Sequence, residues 1–129
     1  MDTSKAHVWL GVNFDEDYES YFELDYDTED MDDPSYKVCG FCRDIGVKWY
    51  DEDWIEVCQE PDLVDLDTLL SDLSVSDDGI ENIKARCVEK GIDKVNALFS
   101  YIDSSLKIDE DKLYNKLVYM GMYNTNLAS

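Results

Sequence analysis

Charge is divided unevenly along this chain, and the division limits what it can fold into. Residues 1–78 carry 24 acidic and 4 basic side chains, whereas residues 79–129 carry seven of each. All of the formal net charge of −20 therefore lies in the first part. It is bunched further: 15–33 holds eleven carboxylates and 51–67 holds eight, with no base in either stretch. Such crowding destabilises a compact state by self-repulsion, and a cationic partner is the usual compensation; the alternative is a solvated acidic face that maintains solubility. Carboxylates crowded by like charge are expected to have raised pKa values, which places the stability maximum below pH 7. Disorder is excluded by composition, because 44% of residues are hydrophobic and 12% aromatic. At 129 residues the chain fits one domain, taken as residues 1–129. Phosphate backbones and anionic lipid surfaces are poor partners for such a charge. No apolar run approaches the ~20 residues of a membrane span. MDTSKAHVWLG lacks the charged-then-apolar pattern of a signal peptide, which predicts a cytoplasmic protein.

Periodicity gives the elements. His7–Phe14 alternates, with Val8, Leu10, Val12 and Phe14 on one side, and predicts a strand with one buried face. Tyr18, Tyr21 and Phe22 have helical spacing behind an acidic first turn. Asp25–Asp33 reads as an acidic loop, and Pro34 as the start of a helix through Tyr36–Asp44 that stops at Gly46. Trp54–Cys58 reads as a short strand or extended edge. Leu63, Leu66, Leu69, Leu70 and Leu73 form one helical stripe; Ile80, Ile83, Cys87 and Val88 form another, capped at Asp77 or Asp78 and stopped by Gly91. Val95–Ile102 and Leu117–Tyr123 read as strands paired with each other across 103–116. The expected class is α+β: a small, mostly antiparallel sheet of three to four strands with helices on one face.

Motifs for catalysis are weak. His7 is the only histidine, so a Ser–His or Cys–His pair would have to use it, and no nucleophile signature surrounds any Ser or Cys. No phosphate-binding glycine loop occurs. Cys39-Gly-Phe-Cys42 has the C-x-x-C spacing of a zinc knuckle or redox pair. Cys58 and Cys87 provide no second close pair, and helical spacing puts Cys39 and Cys42 on one face as small core residues. A calcium loop starting at Asp25 fails where it needs Gly and Glu, because Asp30 and Tyr36 stand there. No metal and no cofactor is expected.

The segment that stands out is 49–56, where Trp49, Tyr50 and Trp54 interleave with Asp51, Glu52, Asp53 and Glu56. Aromatic anchors ringed by charge suit a protein interface: rings supply desolvated contact area and charges supply steering. With the acids of the 25–33 loop (Asp25, Asp27, Glu29, Asp30, Asp32 and Asp33) this segment is the expected partner-binding surface. The alternative is that Trp49 and Trp54 are core residues and the 15–33 acids alone make contact.

Taken together, HVWLG at 7–11, Tyr-x-x-Tyr-Phe at 18–22 and FCRDIGVKWYDEDWIE at 41–56 resemble the bacterial immunity protein 22 family, and VNALF at 95–99 and Tyr119-x-Gly121 fit it more loosely. The resemblance implies a small non-enzymatic α+β protein, encoded beside a polymorphic or contact-dependent toxin, that neutralises the toxin's C-terminal domain in the bacterial cytoplasm. Many such toxins are nucleases, with basic clefts that an acidic protein can occlude. Two other readings stay open: an acidic nucleic-acid-mimicking adaptor for basic proteins, and a redox or metal protein dependent on Cys39 and Cys42.

Overall fold

A computed structural model describes residues 4–30, 32–71, 73–103 and 106–126. Five strands form one antiparallel sheet: β1 (Lys5–Gly11), β2 (Ile55–Asp65), β3 (Lys94–Ile102), β4 (Leu113–Tyr114) and β5 (Leu117–Asn124), in the order β2-β3-β1-β5-β4. The class is α+β as expected, with five strands in place of three or four.

β1 is central, and both of its faces are buried. Trp9 lies opposite Phe99 on β3 and Tyr119 on β5, while Leu10 lies opposite Leu98 and Val118. The expected one-sided strand is therefore corrected: His7 and Trp9 are as buried as Val8 and Leu10, and Val12 and Phe14, beyond the strand, are exposed. A strand covered on both sides cannot be told from a one-sided one by alternation alone. The pairing of Leu117–Tyr123 is corrected too, since β1 separates β5 from β3 and the outer partner of β5 is the two-residue β4. Asn115 and Lys116, both at positive φ (51° and 69°), make the tight turn between β4 and β5.

Helices cover both faces, not one. On one side, α2 (Leu66–Leu70) and α3 (Asp77–Lys90) bring Leu69, Leu70, Ile83 and Cys87 against Val8, Leu10, Leu98 and Met120. On the other, a 3₁₀ turn at Tyr18–Phe22 and α1 (Gly40–Ile45) cover Trp9 and Phe99 with Tyr18, Phe22 and Phe41, and Tyr50 joins them from the segment after α1. Aromatic rings predominate in this second core: Trp9 stacks on Phe99 with centroids 4.6 Å apart, and Phe41 meets Trp9, Tyr50 and Phe99 edge-on.

Two helices begin later than the sequence predicts. α1 starts at Gly40, because residues 25–30 and 32–37 are held in turns by their own carboxylates; Asp33 Oδ1 accepts from the Ser35 N–H at 2.9 Å and Asp25 Oδ2 from the Lys37 N–H at 3.0 Å. It stops at Gly46, whose φ of 79° favours glycine. In the 63–73 stripe, β2 runs on to Asp65, leaving Leu63 exposed and the helix only five residues long. α3 is capped by Ser76, whose Oγ accepts from the Gly79 N–H at 3.2 Å, rather than by Asp77 or Asp78; its outward Val88 is exposed.

Candidate functional site

The 49–56 segment does not present its aromatics alike. Tyr50 is only 3% exposed, and its hydroxyl donates to the Phe22 carbonyl. It is a core residue and cannot serve as an anchor. Trp54 is half-buried and packs against both cores. Trp49 is 51% exposed. The difference arises from a sharp local turn. Asp51 Oδ1 accepts from the Asp53 N–H at 3.0 Å, closing a 3₁₀ turn over Glu52–Trp54, and the Asp51 N–H donates to the Tyr101 hydroxyl at 3.0 Å. Glu52 and Asp53 are left exposed.

Glu56 faces inward as well. Its Oε1 accepts from the Ser74 N–H at 3.0 Å and its Oε2 from the Ser74 hydroxyl at 3.2 Å, so it ties β2 to the segment between α2 and α3. The anchors and acids that face outward are thus Trp49, Glu52 and Asp53, with Asp51 shaping the turn beneath them.

The acidic loop folds against this segment; within it, Met31 lies outside the described residues. Asp25 organises the loop, its Oδ1 accepting from the Asp27 and Thr28 N–H groups at 3.0 and 3.3 Å. Asp30 Oδ1 accepts from the Asp32 N–H at 2.9 Å. The loop is tied to the segment before Trp49 by a Lys48–Asp32 ion pair at 2.6 Å and by the Tyr36 hydroxyl, which donates to the Lys48 carbonyl at 2.6 Å. Asp27, Glu29, Asp30, Asp32 and Asp33 are exposed.

Among the described residues these contacts border a concavity of about 680 Å³, which includes Lys37 in its lining and shares Leu24, Asp25, Tyr26 and Thr28 with one smaller region and Ser20 and Glu23 with another. A cleft of about 270 Å³ is lined by Leu24, Asp25, Tyr26, Thr28, Glu29, Tyr36 and Trp49, joining the two sequence segments in one place. A groove of about 450 Å³ brings Glu16, Asp17, Glu19, Glu23 and Glu52 around a floor of Phe22, Tyr50, Ile55 and Val57. The 15–23 acids belong to this surface although only 25–33 was assigned to it from sequence. Their signal was the unbroken acidic run from Asp15.

The expected raising of carboxylate pKa values by crowding is not seen in the loop. Asp25, Asp32 and Asp33 are lowered: Asp25 chiefly by the Lys37 N–H, Asp32 by the Lys48 ammonium, and Asp33 by the Ser35 N–H and hydroxyl. Local donors prevail over distant like charge.

The other candidate groups are engaged in the fold. His7 Nε2–H donates to the Asp103 carbonyl at 2.8 Å while Nδ1 accepts from the Tyr119 hydroxyl at 2.7 Å, and burial lowers its pKa. Cys39 is the N-cap of α1 rather than a residue within it; its Sγ accepts from the Cys42 N–H at 3.3 Å. The Cys42 thiol holds Cys39 down to about 7 and is itself driven upward. Both are buried, at 7% and 0% exposure. Among the described residues, no group of three His, Cys, Asp or Glu side chains is placed to hold a metal ion, and no helix is long and apolar enough to cross a membrane.

Similarity to known proteins decides what kind of molecule carries this surface. The family model described as Immunity protein 22 matches residues 6–126, nearly the whole chain. The chain belongs to the Immunity protein 22 family. No curated protein and no solved structure matches it. Membership of an immunity protein family gives the chain, in general terms, a toxin for a partner and the neutralisation of that toxin for a role. The match includes every residue of the acidic cleft and groove.

Proposed function

We propose that this immunity protein acts in the bacterial cytoplasm, binding the C-terminal domain of a cognate toxin of a polymorphic or contact-dependent system. The acidic surface formed by 16–33 and 49–53 covers the toxin's basic active cleft, and a nuclease is the toxin class this suits best. The observation that carries the reading is the juxtaposition of exposed Trp49 with the 25–29 loop around one cleft, on the half of the chain that holds the entire net charge. A cleft that binds phosphate is positive, and carboxylates can occupy the places of its phosphates. Complementary fields also speed encounter above the neutral ~10⁵–10⁶ M⁻¹s⁻¹, which suits interception of a toxin before it acts.

Titration with the purified toxin domain tests this. Glu52→Lys/Asp53→Lys reverses two exposed charges and is expected to weaken binding by roughly 2–5 kcal/mol if the pairs are desolvated in the complex. Asp109→Lys/Asp111→Lys, in the charge-neutral half, is the control and is expected to bind like the parent. The opposite pattern places the interface elsewhere. Equal binding to several unrelated basic proteins favours a general acidic adaptor.

A further inference from the structure

We infer that the cleft between Tyr26, Tyr36 and Trp49 is an aromatic receptor for a single arginine side chain of the toxin, with the guanidinium stacked on Trp49 and its charge met by Glu29. The inference rests on the acidic-surface reading above and narrows it to one contact.

Tyr26 is 70% exposed and Trp49 51%, although Tyr50, the next residue along, is in the core. Solitary exposed apolar residues need no explanation, but here two rings share one concavity with a third, Tyr36. The cleft, about 270 Å³, opens beside a wider concavity of about 680 Å³ that shares Leu24, Asp25, Tyr26 and Thr28 with it and has Lys37 in its lining, so the aromatic corner and not an enclosed volume defines the site. The charged lining of the cleft itself consists of two carboxylates, Asp25 and Glu29, and includes no base. Asp25 contributes charge from a fixed position, because its oxygens hold the Asp27, Thr28 and Lys37 N–H groups; Glu29 is exposed at the rim. The nearby Lys48 is drawn to Asp32 and does not line the cleft. The walls are held in place by the Tyr36–Lys48 hydrogen bond and that ion pair, so little ordering is needed on binding.

Aromatic faces beside carboxylates attract cations, and the electronegative rim repels phosphate-bearing groups that could otherwise stack there. Arginine is favoured over lysine because the planar guanidinium stacks on a ring and sheds its hydration more readily than an ammonium. Arginine is also a residue that basic, phosphate-binding clefts use.

The test uses the full chain, labelled with ¹⁵N, and three capped tripeptides: Gly-Arg-Gly, Gly-Lys-Gly and the uncharged isostere Gly-citrulline-Gly. The Trp49 indole N–H signal is assigned by its loss in Trp49→Phe. The arginine peptide is expected to shift that signal saturably, the lysine peptide several-fold more weakly, and the citrulline peptide not at all; Tyr26→Ala and Glu29→Gln should each weaken the response at least threefold. No shift at Trp49, or an equal shift with citrulline, overturns the inference. With the toxin domain, Trp49→Ala and Tyr26→Ala, checked for the parent's thermal midpoint, are each expected to lower affinity tenfold or more. Binding that is weakened by Glu52→Lys/Asp53→Lys but unmoved by Trp49→Ala and Tyr26→Ala overturns the arginine receptor and leaves the acidic surface standing. Binding unmoved by any of these variants overturns both.

Discussion

Replacing Glu56 by alanine separates structural from partner-facing carboxylates in the 49–56 segment. In the fold this side chain spans from β2 to Ser74, accepting from its N–H at 3.0 Å and its hydroxyl at 3.2 Å. Hydrogen bonds to a charged group contribute about 1.5–3 kcal/mol each when buried. Glu56 is only half-buried, so water can partly replace it at Ser74. The expected loss for Glu56→Ala is therefore roughly 1–3 kcal/mol for the pair together. In a domain of this size, one kcal/mol corresponds to about 3–5 °C in thermal midpoint, giving a fall of roughly 3–15 °C. Glu56→Gln keeps the shape and one acceptor and should lose about half as much. Urea denaturation with an unchanged m-value, alongside a toxin titration, gives the readout. Stability should drop while toxin affinity stays within a factor of two or three. A Glu56→Ala protein as stable as its parent but deficient in toxin binding would refute the assignment of this carboxylate to the fold.

Acidification should destabilise the protein from about pH 6.5 downward. Burial lowers the pKa of folded His7, so the unfolded chain takes up a proton first, and stability present above the unfolded value is lost as pH falls through the folded one. Asp25, Asp32 and Asp33, lowered by local donors, act in the same direction at still lower pH, so a urea midpoint that rises between pH 7 and pH 5 counts against this account. Added salt should raise the thermal midpoint: the ion pairs among the described residues are largely at the surface and contribute little each, whereas a charge of −20 is relieved by screening. A midpoint that falls steadily between ~10 and ~300 mM NaCl shows that attractive pairs dominate. Cys42→Ala should raise the pKa of Cys39 towards the ordinary thiol value, since the Cys42 thiol is the main cause of its lowering; ultraviolet thiolate absorbance against pH measures it, and an unchanged titration rejects that cause.

How much of this was legible in the sequence depended on whether a local rule had a competitor. β3, β5, α3 and the stops at Gly46 and Gly91 follow from periodicity and backbone freedom, and nothing nearby competes with them. The helical pattern overextends α1 because Asp25 and Asp33 offer the backbone side-chain acceptors that such a pattern ignores. The leucines of 63–73 keep a helical period across a boundary at Asp65 where the chain changes from strand to helix. That β1 lies between β3 and β5 depends on contacts remote in sequence, which no local pattern encodes. The site was legible as composition but not as orientation. Whether Trp49 or Tyr50 faces outward is decided by the Asp51-capped turn and by the Phe22 carbonyl that receives the Tyr50 hydroxyl.

The placement of β1 also governs how the molecule comes into being. The strand at Lys5–Gly11 leaves the ribosome well before its two neighbours, Lys94–Ile102 and Leu117–Asn124. At roughly 5–20 residues per second, its apolar faces wait several seconds or more for cover. During that interval the nascent chain comes to expose the stretch, residues 1–78, that carries the whole net charge. Mutual repulsion between such chains disfavours their association, so the acidity proposed to face the toxin would also protect the unfinished protein. Pairing of β1 with β3 can precede that of β1 with β5, but the sheet is complete, and protection against a toxin begins, only when translation has passed β5.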